Sequence, residues 1–449
     1  MKTNLESTLN NIQNALDNSD IDLAQQLLNT LHPADQADAI SDRTLQEQSK
    51  MLPHLTADNA AAVLEHLDED EAANIASELP LDILANLLDK MEPDEAADIL
   101  LDLYEDKASQ VLKQMSSSEI ILPLLKHRDD TAGGRMTTQI PTLYPEMTTS
   151  HCITYLRKSK PDKEHHYYLY VIDQNNTLLG ILGLRELITN PPNTQIKDIM
   201  NNDFISASVD DDQEKCARLI SHYNLMSLPI VNDQTQLLGV ITYDDIVEVI
   251  EDEATEDIYA LSNLSADSDL DVFSPVKMMI SKRLPWLYVN LFGAFISAYV
   301  ISKFEPTIAK IAFLAIFQSI VAGLGGNAGT QSLAIMVRAL ALKQLTFRQV
   351  WKALGRELVI GSLNGLAVGI SCAILVYFWR GNTALGLIIG IATFGNLLIA
   401  GLLGTIIPLT LKYFRQDPAL ASSALVTGIT DIIGFALFLS LATLYISYL

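Results

Sequence analysis

The sequence predicts a multi-domain fold. An all-α superhelical N-terminal domain is followed by a duplicated α/β module, a long connecting helix and a membrane domain of five transmembrane helices. Three observations carry this expectation. Acidic charge all but ends near residue 275, five long apolar stretches follow, and two different internal repeats occupy the part before them.

The charge division comes first. At 449 residues the chain exceeds a usual single domain, and its net charge of −24 is very unevenly spread. Up to Pro275 there are 50 acidic and 17 basic residues, and from Val276 onward there are 4 acidic and 13 basic. A soluble half at −33 repels nucleic acid and attracts cations. Cys152, Cys216 and Cys372 match no metal or redox spacing, and the eight histidines form no ligand cluster, with His165 and His166 read as surface. Residues 1–30 are polar and amphipathic rather than a signal peptide, so everything before the first apolar span is expected in the cytosol.

Residues 1–130 read as short amphipathic helices separated by Pro and Asp, with DEAA at 70–73 recurring at 94–97. Helix repeats of this kind stack into a superhelix. Within 136–254 a second duplication appears: YVIDQNNTLLGILG at 170–183 parallels PIVNDQTQLLGVIT at 229–242. Each copy predicts strand, turn, strand, helix. The pair resembles cystathionine-β-synthase (CBS) domains, regulatory modules in which Thr-x-x-Asp after the second strand holds a ribose. Thr242 and Asp245 fit that pattern, whereas the first copy has Gly183 and Glu186, so an adenine nucleotide such as ATP would favour the second copy. From Asp244 to Asp257 a dense run of carboxylates lies on what should be one continuing helix, where like charges repel. Its place between the sensor and the first span lets bound divalent ions act on the membrane part.

Apolar stretches long enough to span a bilayer are expected at about 285–302, 307–341, 358–379, 384–411 and 418–448. Ten of the thirteen basic residues flanking them fall on one side, which puts the amino terminus inside and the carboxyl terminus outside. Glu305, Glu357 and Asp417 sit at or near span ends. Asp431 lies 14 residues past Asp417, after roughly 21 Å of helix. A carboxylate at that depth is costly unless it faces a wet cavity or a cation. The second span carries GLGGNAGTQ at 323–331, whose glycines should loosen the helix and whose Asn327 and Gln331 share one face. With Pro408 able to kink the fourth span, these features favour a cation pore over a mere packing seam.

The order of parts, together with GGNAGTQ at 325–331, DPA at 417–419, Asp431 and DTAGG at 130–134, resembles the MgtE family of magnesium transporters. The resemblance implies a superhelical N-domain (1–130), two CBS domains (136–195 and 196–255), a connecting helix (256–284) and a pore domain (285–449). It implies a homodimer in the lipid bilayer of the plasma (inner) membrane, with residues 1–284 cytoplasmic, no enzyme activity and no nucleic-acid partner. Pore residues carried over are Asp431, Asn327, Gly325, Gly326, Ser423 and Thr427. Regulatory Mg²⁺ ligands carried over are Asp94, Asp98, Glu214, Asp245, Glu248, Glu253, Glu256 and Asp257, with Thr242 and Asp245 for a nucleotide. Ala62 and Asn224 stand where the family often has acidic residues. The implied activity is Mg²⁺ import closed by internal Mg²⁺; the alternative is a CBS-regulated transporter of another divalent cation such as Co²⁺ or Mn²⁺. Basic lining for an anion pore is missing from the spans, and no acid–base pair suggests catalysis.

Overall fold

The computed structural model describes residues 8, 11, 12, 15, 21–41, 43–159, 168–264, 270, 274–341, 345, 347–414, 416, 418 and 423–448. His165, His166, Asp417 and Ala419 lie outside the described residues. The chain divides into two compact units, Met1–Glu251 and Asp252–Leu449.

The first unit opens with short helices: α1 (Ile21–Leu28), α2 (Pro33–Ser41), α3 (Leu45–Met51), α4 (Ala57–Glu65), α5 (Glu69–Glu78), α6 (Leu81–Leu88), α7 (Pro93–Asp102), α8 (Glu105–Gln114) and α9 (Ser118–Ile121). Local chemistry starts several of them. Thr44 and Glu47 form a capping box on α3, and the Thr56 hydroxyl accepts the Asn59 amide at 3.3 Å on α4. The DEAA repeats fall at equivalent places on α5 and α7, with both alanine pairs buried. From α2 onward each helix packs on the next but one, as far as α6 on α8, which is superhelical stacking.

The duplicated module follows. β1 (Thr142–Leu143), α10 (Thr149–Ser159), β2 (Tyr168–Ile172), β3 (Leu178–Gly183) and α11 (Leu184–Thr189) form the first copy. β4 (Ala207–Ser208), α12 (Gln213–Tyr223), β5 (Ser227–Val231) and β6 (Leu237–Thr242) repeat it and lead into α13 (Tyr243–Leu261). Each sheet has the order parallel then antiparallel, β1-β2-β3 and β4-β5-β6. The copies join through Leu178 N–H to Thr235 O at 3.0 Å and Leu237 N–H to Asn176 O at 2.8 Å. A fully buried contact between the Tyr170 hydroxyl and Ser227 Oγ, 2.6 Å, completes the joint.

The second unit holds α14 (Val276–Ser302), α15 (Glu305–Lys310), α16 (Leu314–Ala341), α17 (Phe347–Arg380), α18 (Thr383–Tyr413) and α19 (Ser423–Leu444). Five of these, all but α15, are long and apolar enough to cross a membrane. The spans start earlier than their apolar stretches suggest. α14 begins at Val276 rather than 285, and α17 at Phe347 rather than 358. Helical hydrogen bonding runs on into the polar boundary layer, which a hydropathy reading cannot see. Residues 256–284 are likewise not one helix: α13 ends at Leu261 and α14 starts at Val276. The stop is an asparagine, Asn263, at φ 65°, with Leu264 N–H closing on Tyr259 O at 2.9 Å in a Schellman-type turn.

Candidate metal centres

In the first unit, α7 and the start of α13 bring carboxylates face to face. Asp94 is 6% exposed, and its Oδ1 is buried without a hydrogen-bond partner. Burial, then the charges of Asp245, Glu92 and Asp98, push its pKa well above the usual carboxylate range. Glu95 is raised in the same way, by burial and then by Asp94, Asp98, Glu248 and Asp245. Asp98 is pushed up to about 8 by burial, in spite of the opposing pull of Arg135. Asp245 is raised by burial, against hydrogen bonds from Thr242. Raised values in so many neighbours mean that negative charge is concentrated here without enough positive charge to balance it.

Arg135 supplies part of the balance. Its Nη1 lies 2.9 Å from Glu69 Oε1 and 4.0 Å from Asp98 Oδ2, while its Nε donates to Gln213 Oε1 at 3.2 Å. One guanidinium therefore ties α5 and α7 to the duplicated module. Although burial opposes its charge, Glu69 and Asp98 hold its proton more tightly than usual. Neither Arg135 nor Glu95 was among the expected site residues. Glu95 could have been found from the repeat, since it follows Asp94 there; Arg135 carries no spacing signal.

The other expected regulatory residues are placed differently. Glu214 pairs with Arg218 at 2.7 Å along α12, and its amide is capped by Asp212. Glu253, Glu256 and Asp257 lie on the part of α13 that belongs to the second unit. Among the described residues no three His, Cys, Asp or Glu groups converge closely enough to hold a bare metal ion. A hydrated Mg²⁺ needs no such convergence, because it keeps several waters and reaches carboxylates through them. At the nucleotide position, Thr242 is buried, its hydroxyl donates to Asp245 Oδ2 at 2.7 Å and its amide to the same oxygen at 2.9 Å.

In the membrane unit, Asp431 is half-buried on α19, and Asn327 and Gln331 share an exposed face of α16. The glycine-rich stretch does not loosen: α16 is an unbroken helix from Leu314 to Ala341. Gly325, Gly326 and Gly329 serve close packing instead. A Cβ on Gly326 would come within 2.9 Å of Thr427 Cγ2, and one on Gly329 within 2.5 Å of Val426 Cγ1 on α19. Gly325 and Gly326 thus pack closely against Asn396 and Thr427 of neighbouring helices. α18 also runs unbroken through Pro408.

Several contacts are not legible in the sequence. Asn396 on α18 is wholly buried, and its Nδ2 donates to Val321 O at 2.8 Å. Beyond α13, Asn263 Oδ1 accepts the Ala424 amide at 2.9 Å and its Nδ2 donates to Ser423 Oγ at 3.0 Å, capping α19. The end of α13 packs there too: Ala260 and Leu261 join Leu333, Val337, Ile407, Leu411 and Val426 in one apolar cluster. Glu357 reaches from α17 to accept Ser332 Oγ on α16 at 2.9 Å.

Comparison with known proteins follows this division. Residues 318–441 match the model of the MgtE divalent cation transporters, 31–130 match the MgtE intracellular N domain, and 132–192 and 196–252 each match the CBS domain. The magnesium transporter MgtE of Enterococcus faecalis is 36% identical over 328 residues, covering 73% of this chain and 72% of that one. The magnesium transporter MgtE of Thermus thermophilus is 34% identical over 322 residues, covering 72% and 71%. Among solved structures, the soluble part of a magnesium transporter matches at 31% identity and TM-score 0.51, over 56% of this chain and 99% of the other. The cytosolic domain of the Mg²⁺ channel MgtE in complex with ATP matches at 31% identity and TM-score 0.50, over 53% and 98%. A helical N-domain, a CBS pair and a five-helix apolar domain, matched in this order by relatives along most of their length, make the chain a member of the MgtE family of magnesium transporters.

Proposed function

We propose that the protein is a homodimer that carries Mg²⁺ into the cell through a pore and closes when internal Mg²⁺ is high. The observation that carries the pore is Asp431, a half-buried carboxylate well inside an apolar helix, while the basic residues flanking the spans gather towards their ends. Asp431 attracts the ion electrostatically; one carboxylate from each subunit balances a single Mg²⁺. Asn327 and Thr427 offer neutral oxygens to its water shell, with Ser423 at the cytosolic end. Inward flow needs no further energy source, since a negative interior favours entry by roughly 2.3 kcal/mol per charge per 100 mV.

Asp94, Asp98, Asp245 and Glu248, with Glu95, would hold hydrated Mg²⁺ where their charges collect, and Glu214, Glu253, Glu256 and Asp257 would be ligands of further ions. Bound ions favour the compact state, because only there do separate segments share them; a ligand shifts an equilibrium by such a difference in affinity. The unpartnered Asp94 Oδ1 supports this reading. Thr242 and Asp245 would take the ribose of ATP, which a relative's cytosolic domain binds. The deciding experiment is flux into liposomes carrying the purified protein, compared across Mg²⁺, Co²⁺ and Mn²⁺. A stronger flux of Co²⁺ or Mn²⁺ than of Mg²⁺ would favour the other-cation reading.

A further inference from the structure

One enclosed polar side chain in the helical bundle is explained neither by packing alone nor by the pore chemistry above. Asn396 has no exposed surface, yet its Oδ1 is buried with no partner. An apolar residue would avoid that orphaned oxygen, so what the site retains is the donor. That donor reaches the carbonyl of Val321, which within an α-helix already accepts the Gly325 amide one turn on. The amide sits in a slot cut by two glycines: a Cβ on Gly325 would collide with Asn396 Nδ2, and one on Gly434 would come within 2.7 Å of it. One side chain on α18 therefore sets how near α16 and α19 stand.

Those two helices carry Asn327 and Asp431. Asn327 is two residues past Gly325, about 200° around the helix, so it faces away when Gly325 faces Asn396. Asp431 lies one turn before Gly434. We propose that Asn396 is a positioning residue that fixes the spacing of Asn327 and Asp431 and thereby the discrimination between Mg²⁺ and larger divalent cations. The inference rests on the pore reading given above. Its chemical basis is that Mg²⁺ demands near-ideal octahedral geometry, whereas Ca²⁺ accepts a loose and variable one. A site whose spacing wanders loses its advantage for the smaller ion.

The test uses the full-length protein in liposomes, with Mg²⁺ and Ca²⁺ flux measured separately. Asn396→Leu keeps a similar size and lacks the donor. The Mg²⁺/Ca²⁺ flux ratio is expected to fall about tenfold, the scale of one lost hydrogen bond, while the protein elutes from a sizing column as before. An unchanged ratio overturns the proposal. If that variant does not assemble, Gly325→Ala with Asn396→Ala refills the slot: a ratio that stays low supports positioning, and a return to the wild-type ratio shows that the amide only fills space. Asp431→Ala, run beside them, separates the two readings. Wild-type flux through it removes the pore and this proposal together. A silent Asp431→Ala beside an Asn396→Leu of normal ratio removes only the positioning role.

Discussion

At the scale of single residues, charge decides. Asp98 has a folded pKa of about 8, well above its ordinary value, so the folded state holds a proton that the unfolded chain releases. The stabilisation this proton allows is full below about pH 4 and is lost as pH rises towards 8. Without metal, the N-terminal unit should therefore lose resistance to thermal unfolding as pH rises over that window, by on the order of 1 kcal/mol per pH unit. Saturating Mg²⁺ should flatten the trend, and a metal-free melting temperature independent of pH would contradict it. Arg135→Gln removes the guanidinium shared by Glu69 and Asp98. The expected loss is about 1–2 kcal/mol, below the range for a fully buried pair because Glu69 is 37% exposed and water screens it. Protection of the N-terminal helices from trypsin should then need several times more Mg²⁺. If Asp431 lines the pore as proposed, Asp431→Asn, which keeps the shape and deletes the charge, should drop Mg²⁺ flux at least tenfold while the protein remains folded in the membrane.

At the scale of elements, α13 and its terminal turn matter most. Asn263 stops the helix in a left-handed turn and uses the same side chain to cap α19. Asn263→Gly keeps the turn and discards the two side-chain hydrogen bonds to α19, a loss of about 1 kcal/mol. The internal Mg²⁺ needed for half closure should rise several-fold in patch recordings, and an unchanged midpoint would show that the cap plays no part in closing. This contact also marks how far the sequence could be read. The repeats, the five spans, the continuation of the acidic run as one helix and the depth of Asp431 follow from periodicity and composition, which are local. Arg135 against Glu69 and Asn396 against Val321 join residues 66 and 75 positions apart, and no periodicity encodes such pairs. The glycines of α16 were legible as small residues, but whether they would break the helix or pack it depended on Asn396, Thr427 and Val426 on other helices.

At the scale of the whole molecule, the uneven charge is the main fact. Deleting residues 1–130 removes one side of the carboxylate cluster and leaves the apolar helices untouched. The truncated protein should conduct at internal Mg²⁺ levels that silence the full chain, and identical closing in both would take the N-terminal helices out of the gate. Small-angle scattering of the full-length protein in detergent should show a larger radius of gyration without Mg²⁺ than with it.

The crowding of Asp94, Glu95, Asp98 and Asp245 has a consequence for what the N-terminal part could tell apart if it senses ions as proposed. A tight cage reads an ion's radius; a broad field of carboxylates reads little beyond its valence. A sensor of that second kind would work as an electrometer, and Ca²⁺, Mn²⁺ or a polyamine should trip it at concentrations near those of Mg²⁺. Discrimination among ions would then rest on the membrane helices alone, and the cell's most abundant free divalent cation would set the reading by numbers rather than by fit.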